Sequence, residues 1–364
     1  MVPVDYTLPD SAAPLREAAR RLVDEVLRPH LGQLPAAEGP WPDGLRAQAR
    51  EARAALGLWG LSVPTSEGGR GLRWIEIAVV QEEVGASPVG LWAHGLLAQG
   101  EPPRTLVGAR GDIRRRYLLP CLRGNRQAYQ VFGGPGIRVA AGTGVLDGVL
   151  HDVPAFVAED IVLLVVGPDA YLLDPGTPGY RRTPRRPTMG AAELVDLVME
   201  GCHALGVLPG AAPVAETWRA GVRAAVLGAR AVGAAQWCLE QALRYANARK
   251  TFGKPLADRQ AIQWMIADSA RELHAARLLV YRACAALDSG EDAREAAAAA
   301  KVYATDAACR IADRTLQIHG GSGYTRDLPF ERIWRELRFY RLWEGPNDRL
   351  AAEGAGARVV ALQR

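Results

Sequence analysis

The chain has 364 residues, 49% of them hydrophobic, ample for a buried core and for more than one domain. Its 44 basic and 40 acidic side chains leave a net charge of +4, a weak steering field. Lysine occurs only at 250, 254 and 301, the other basic residues being arginine, and no arginine cluster alternates with aromatics, which argues against a nucleic-acid surface.

The first helical text is "SAAPLREAARRLVDEVLRPH", where Leu15, Ala18, Ala19, Leu22, Val23 and Val26 share one face. Further helices are expected around 43–58, 73–100 and 107–123, joined by turns such as "TSEGGRG". Residues 1–124 therefore read as an N-terminal helical domain. The texture changes at about 125. "AYQVFGGPGIRVAAGTGVLDGVL" is rich in glycine among short β-branched runs, and "DIVLLVV" and "AYLLD" flank a "GPD" turn as strand, turn and strand. "PGTPGYRRTPRRP" cannot be a regular helix, and its "RRTPRR" is either a solvated loop or a phosphate or partner contact. "ELVDLVMEG" fits strand or helix. The segment 125–210 reads as a small, β-barrel-like middle domain. From 211 to 364 the pattern is helical again, with long Ala-rich stretches at 214–248, 258–289 and 293–318 and either Ser289 or Asp292 as a cap. These suit a C-terminal four-helix bundle with large subunit interfaces. The fold class expected is mainly α with a central β domain.

Five cysteines are far apart, odd in number and set in apolar helical text, as expected of reduced packing residues in a cytoplasmic protein. No histidine or cysteine spacing matches a metal site. The N-terminal residues lack a signal-peptide pattern, and charges interrupt every long apolar helix, which excludes a membrane span.

Three stretches could carry chemistry. In "YANARKTFGKPLADRQAIQWMIAD" (245–268), Arg249 offers a fork of donors to a phosphate, Thr251 a hydroxyl, Phe252 an apolar face, and Gln260 opens a new helix. The same text also reads as a basic helix C-terminus followed by a turn. In "LQIHGGSGYTRDLPFERIWRELR" (316–338), three glycines in four positions would let a ligand lie against bare backbone, with Gln317 and His319 just before the bend. It also reads as an ordinary loop. In "RLWEGPNDRL" (341–350), Glu344 is either a turn residue or a carboxylate whose apolar surroundings make it a working base.

Together these blocks resemble the flavin-dependent acyl-CoA dehydrogenases over nearly the whole chain. The resemblance is strongest across 225–350, where "ARKTFG", Gln260, "LQIHGGSGY", "ERIWRE" and "WEG" follow at matching separations. It implies an FAD-dependent oxidoreductase that desaturates the α–β bond of an acyl-CoA or acyl-carrier-protein thioester, in fatty acid metabolism. Arg249, Thr251 and Phe252 then correspond to the segment that reaches the FAD of a neighbouring subunit, with Gln260 in the same surroundings. Gln317, Gly320 and Gly321 correspond to the loop lining the adenosine side. Glu344 takes the position of the catalytic base. An electron-transfer flavoprotein or similar acceptor, and a homo-oligomer (dimer or tetramer), are the implied partners.

The middle of the chain departs from that family's pattern. "YQVFGGPGIR" (129–138) stands where a "TEP…GSD"-like stretch is usual, with Gly133, Gly134 and Gly136 as a substitute anion-binding turn and Phe156 in the place of a flavin-abutting aromatic. Pro346 stands where a flavin-binding threonine is usual, Trp343 replaces a smaller or phenolic ring, and Arg219 and Arg223 do not fall on the usual Asp–Arg pair facing coenzyme A. These departures support an alternative in which the chain is a half-site subunit completing a related partner's flavin site.

Overall fold

The structure is a computed structural model that describes residues 8–29, 44–88, 102–140, 144–190 and 192–362. The helical text expected at 89–100 lies outside the described residues. In chain order the main helices are α1 (Ala12–Arg21, continued by a π turn at Leu22–Leu27), α2 (Leu45–Ala55), α3 (Trp74–Gly85), α4 (Ala212–Gly221), α5 (Ala229–Ala248), α6 (Gln260–Asp288), α7 (Arg294–His319), α8 (Phe330–Tyr340) and α9 (Asn347–Leu362). A π turn at Val222–Gly228 joins α4 to α5 without a break. The strands are β1 (Ala128–Phe132), β2 (Arg138–Val139), β3 (Val145–Pro154), β4 (Ile161–Val166), β5 (Asp169–Leu173), β6 (Tyr180–Arg182), β7 (Leu194–His203), β8 (Gly206–Leu208), β9 (Lys250–Thr251) and β10 (Lys254–Pro255). The chain divides into two compact units, one formed by 1–32, 73–92 and 219–364, the other by 33–72 and 93–218.

The first unit is a bundle with α7 at its centre, packed against α5, α6, α8 and α9. Ala297, Ala300, Ala304, Ala307, Ala308 and Ala312 of α7 are all buried, so neighbouring backbones come close and the alanine run is packing surface. Where α3 crosses α5, a Cβ on Gly233 would lie 1.9 Å from the Glu82 carbonyl oxygen and one on Gly85 2.3 Å from that of Arg230. Only glycine permits that crossing. The end of α6 secures the start of α3: the Asp288 carboxylate accepts the Trp74 and Ile75 amides at 2.6 and 3.1 Å. It thereby satisfies amides that a helix start leaves without partners. At the break before α7, the Ser289 hydroxyl turns back to the Ala286 carbonyl, whereas Asp292 accepts the Arg294 amide at 3.3 Å.

The second unit corrects one expectation. Its strands do not close into a barrel. They form two open four-stranded sheets, ordered β1-β4-β5-β8 and β2-β3-β7-β6. Three of the four edge strands, β2, β6 and β8, are only two or three residues long, too short to supply a closing ladder. The sheets pack face to face instead. Tyr129, Val162, Leu164, Tyr171 and Leu173 of one meet Leu146, Val153, Val195, Leu197 and Met199 of the other. The opposite face of the first sheet, with Ala128, Ile161, Leu163 and Leu172, is covered by Leu106, Tyr117, Leu118 and Cys121. That double burial explains why β4 reads as a continuous apolar run. β4 and β5 are the expected hairpin, with Gly167 in its turn. "ELVDLVMEG" is strand β7, its ambiguity resolved by pairing on both sides with β3 and β6.

Candidate active site and cofactor surfaces

Glu344 lies on the turn between α8 and α9. The Leu342 and Trp343 amides bond to the Phe339 carbonyl, closing α8, and Trp343 stacks on Phe339 with ring centroids 5.3 Å apart. The chain then turns through two residues with positive φ, Glu344 at +57° and Gly345 at +107°. The left-handed conformation costs a non-glycine residue about 1–3 kcal/mol and persists where surrounding contacts over-determine it. Here they do. The Arg223 Nε donates to the Glu344 carbonyl at 2.8 Å, and the Lys301 Nζ donates to the Gly345 carbonyl at 2.8 Å. The Asn347 amide closes on the Arg341 carbonyl at 2.9 Å.

The Glu344 side chain is 13% exposed, and its Oε2 lies 3.3 Å from the Arg219 Nε. Its surroundings are therefore cationic and not the apolar pocket expected of a working base. Arg219 and Arg223 come from the end of α4 and the π turn that follows, a helical irregularity of the kind often found at functional sites. Lys301 is completely buried on α7, and desolvation, helped by Arg223, pushes its pKa down to about 7. Sequence reasoning placed neither arginine and passed over Lys301 and Asn347. One signal was available: a lone lysine within the buried alanine stripe of α7.

The other candidate residues gather at the far end of the bundle. Arg249 ends α5, its amide bonded to the Tyr245 carbonyl at 2.8 Å. Thr251 lies in the β9–β10 hairpin, and its carbonyl accepts the Arg259 guanidinium at 2.6 Å. Phe252 caps the hairpin at φ +50° and is 97% exposed. Gln260 is the exposed first residue of α6. Gln317 is exposed on the last turn of α7, and Gly320 and Gly321 follow it. Ile318 packs in one apolar cluster with Leu256, Ile262 and Met265, which brings the α7 end beside the hairpin exit. From Lys301 to His319 is about 27 Å of helix at 1.5 Å per residue. Glu344 and these segments are thus at opposite ends of α7.

A cavity of about 780 Å³ is bounded by Arg244, Tyr245, His319, Gly321 and Phe330, among others. His319 stacks on Tyr245 at 4.3 Å between centroids and lies 4.2 Å from Phe330, whose ring is tilted by 42°. Burial lowers the pKa of His319, offset in part by the hydrogen bond that its Nδ1 donates to the Thr315 carbonyl at 2.8 Å. A Cβ on Gly320 or Gly321 would meet nothing within 4 Å, leaving bare backbone to a ligand. In the second unit the Gly133–Gly136 turn follows β1, held by Gly133 to Val165 and Ile137 to Gly134 backbone bonds. Phe156 is committed to packing there, edge-on to Tyr129 at 5.7 Å. Among the described residues, no group of histidine, cysteine or carboxylate side chains could hold a metal, all five cysteines are free and buried, and no helix is long and apolar enough to cross a membrane.

Comparison with known proteins agrees with this layout. The acyl-CoA dehydrogenase N-terminal domain matches residues 9–125 and the acyl-CoA dehydrogenase C-terminal domain matches 215–356. The chain is 31% identical to the (R)-benzylsuccinyl-CoA dehydrogenase of Thauera aromatica, over 95% of this chain and 94% of that one. It is 30% identical to the caffeyl-CoA reductase-Etf complex subunit CarC of Acetobacterium woodii, over 92% and 94%. A putative acyl-CoA dehydrogenase structure from Mycobacterium smegmatis superposes with a TM-score of 0.83 at 25% identity, covering 98% of this chain and 99% of that one. The chain belongs to the acyl-CoA dehydrogenase family and is an FAD-dependent oxidoreductase acting on the α–β bond of an acyl thioester.

Proposed function

We propose that Glu344 is the base that takes the α proton of the thioester. The observation that supports this most directly is the turn itself: a carboxylate held at φ +57° with its own carbonyl and the next one each gripped by a buried cation. Such fixation places an oxygen within reach of one carbon and keeps it there. The flavin, when bound, accepts the β hydrogen as hydride. Glu344 receives only a proton, so one carboxylate suffices without a histidine or second acid. Arg219 orients its Oε2, and the packed Phe339–Trp343 pair bounds the turn.

Arg249, Thr251, Phe252, Gln260, Gln317, Gly320 and Gly321 would hold the adenosine and pyrophosphate side of FAD. Because they stand about 27 Å along α7 from Lys301, the flavin they hold is best assigned to a second copy of the chain. The working form is then a homo-oligomer, a dimer or tetramer. The thioester is assigned to the aryl-substituted class, since the relatives carry benzylsuccinyl-CoA and caffeyl-CoA in their names, and an electron-transfer flavoprotein to the role of acceptor, since one relative is a subunit of an Etf complex.

The test is spectroscopic. Purified protein should carry flavin absorbance near one equivalent per chain, and an aryl-substituted acyl-CoA should bleach it anaerobically faster than a straight-chain one. Glu344→Gln should retain the flavin and lose bleaching. Protein that stays colourless with FAD supplied, yet restores flavin to a related chain, would establish the half-site alternative instead.

A further inference from the structure

The chain uses arginine almost everywhere it needs a cation and keeps lysine at three positions only. Two of them, Lys250 and Lys254, are exposed on the β9–β10 hairpin. The third, Lys301, is fully buried. An ammonium is a compact head with three donors on a flexible stem, whereas a guanidinium is a wide planar fork. Lysine at 301 thus places a compact head with three donors at a fully buried position.

What that head touches is the turn carrying Glu344. Its Nζ donates at 2.8 Å to the Gly345 carbonyl and at 2.8 Å to the Asn347 Oδ1. The Asn347 Nδ2 donates in turn to the Thr305 Oγ1 and the Asp306 Oδ1, both at 2.9 Å. The Thr305 hydroxyl donates to the Lys301 carbonyl at 2.8 Å, closing a ring that ties α7 to the first residue of α9. We propose that Lys301 is the positioning residue for Glu344, its ammonium fixing the Gly345 carbonyl and the Asn347 side chain so that the left-handed turn aims the carboxylate. This rests on reading Glu344 as the base.

The charges facing Nζ come from four elements. Arg223 on the π turn and Arg341 at the end of α8 oppose its positive charge, and Glu344 on the turn and Asp306 on α7 favour it. Burial is the largest influence, and the balance brings the pKa down to about 7.

Three lysines make the test direct. In holoenzyme labelled with [¹³Cε]lysine, the Lys301 resonance should titrate near 7. Glu344→Gln should move the Lys301 titration lower, because it removes a favourable charge. A Lys301 signal indifferent to that substitution overturns the proposal. This readout needs no substrate, so it is independent of whether any thioester bleaches the flavin. Kinetically, Lys301→Met should lower kcat about 100-fold, with flavin content unchanged and KM within about threefold. Lys301→Gln, which keeps a donor for Gly345 without the charge, should recover about tenfold of that loss. Equal losses in the two variants, or a loss matched by loss of flavin, would assign Lys301 to folding alone and overturn the proposal.

Discussion

The Arg219 Nε lies 3.3 Å from the Glu344 Oε2, joining the end of α4 to the turn after α8 across 125 residues of sequence. Both side chains are mostly buried, Arg219 at 23% and Glu344 at 13% exposure. Removing one partner of a buried ion pair leaves the other charge uncompensated, a cost that reaches about 3–5 kcal/mol at full burial. The pair also orients the carboxylate. Arg219→Gln is expected to slow anaerobic flavin bleaching about tenfold in protein that retains its fold and flavin. An unchanged bleaching rate would sink the orienting role.

Lys301 makes stability depend on pH in a specific direction. Unfolded, it holds its proton up to about pH 10.5, but in the folded protein it releases it above about 7. Between those values the unfolded state binds more protons, so stability rises with pH. Below about 7 the cost of the buried charge is constant and fully expressed. From pH 7 to 9 the wild type should gain about 2–3 kcal/mol relative to Lys301→Met. Denaturant titrations at the two pH values measure it, and parallel behaviour of the two proteins would refute it.

Phe252 is an apolar ring almost fully in water at the tip of a hairpin. Its replacement by aspartate should leave the protomer's stability within about 0.5 kcal/mol. Light scattering should nonetheless show a smaller particle, and flavin content should fall. A full-sized, fully flavinylated Phe252→Asp protein would contradict the assignment of this hairpin to a neighbour's cofactor.

Gly321 offers a cleaner probe of the cradle, since a Cβ there would meet nothing of this chain within 4 Å. Gly321→Leu should therefore fold with a melting temperature within about 4 °C of apo wild type, corresponding to about 1 kcal/mol or less. Its flavin affinity should fall at least tenfold. Retained affinity would place the adenosine elsewhere.

The helices were legible because each buries one stripe, and that stripe is written locally in the spacing of its apolar residues. Apolar runs on either side of a turn revealed strands β4 and β5 just as well. Closure was not legible. Whether strands form a barrel or two packed sheets depends on which edges find partners, and β2, β6 and β8 are too short to advertise their neighbours. The site divides the same way. Glu344 could be singled out because helix end, carboxylate and glycine sit together in "WEG". Arg219, Arg223 and Lys301 approach it from more than forty residues away, and the fold alone brings them there. The contact that Arg219 makes to its carboxylate is likewise absent from the local text.

The π turn at Val222–Gly228 has a consequence for how such chains should be aligned. A π turn accommodates one residue more than the α-helix it interrupts. Counting back from α5 through it therefore assigns each earlier residue to the wrong rung, and Arg219 and Arg223 look displaced from any functional position. In space they sit directly on Glu344. Because the π turn absorbs the extra residue, the helix on either side keeps its phase, and Arg219 keeps its place against Glu344.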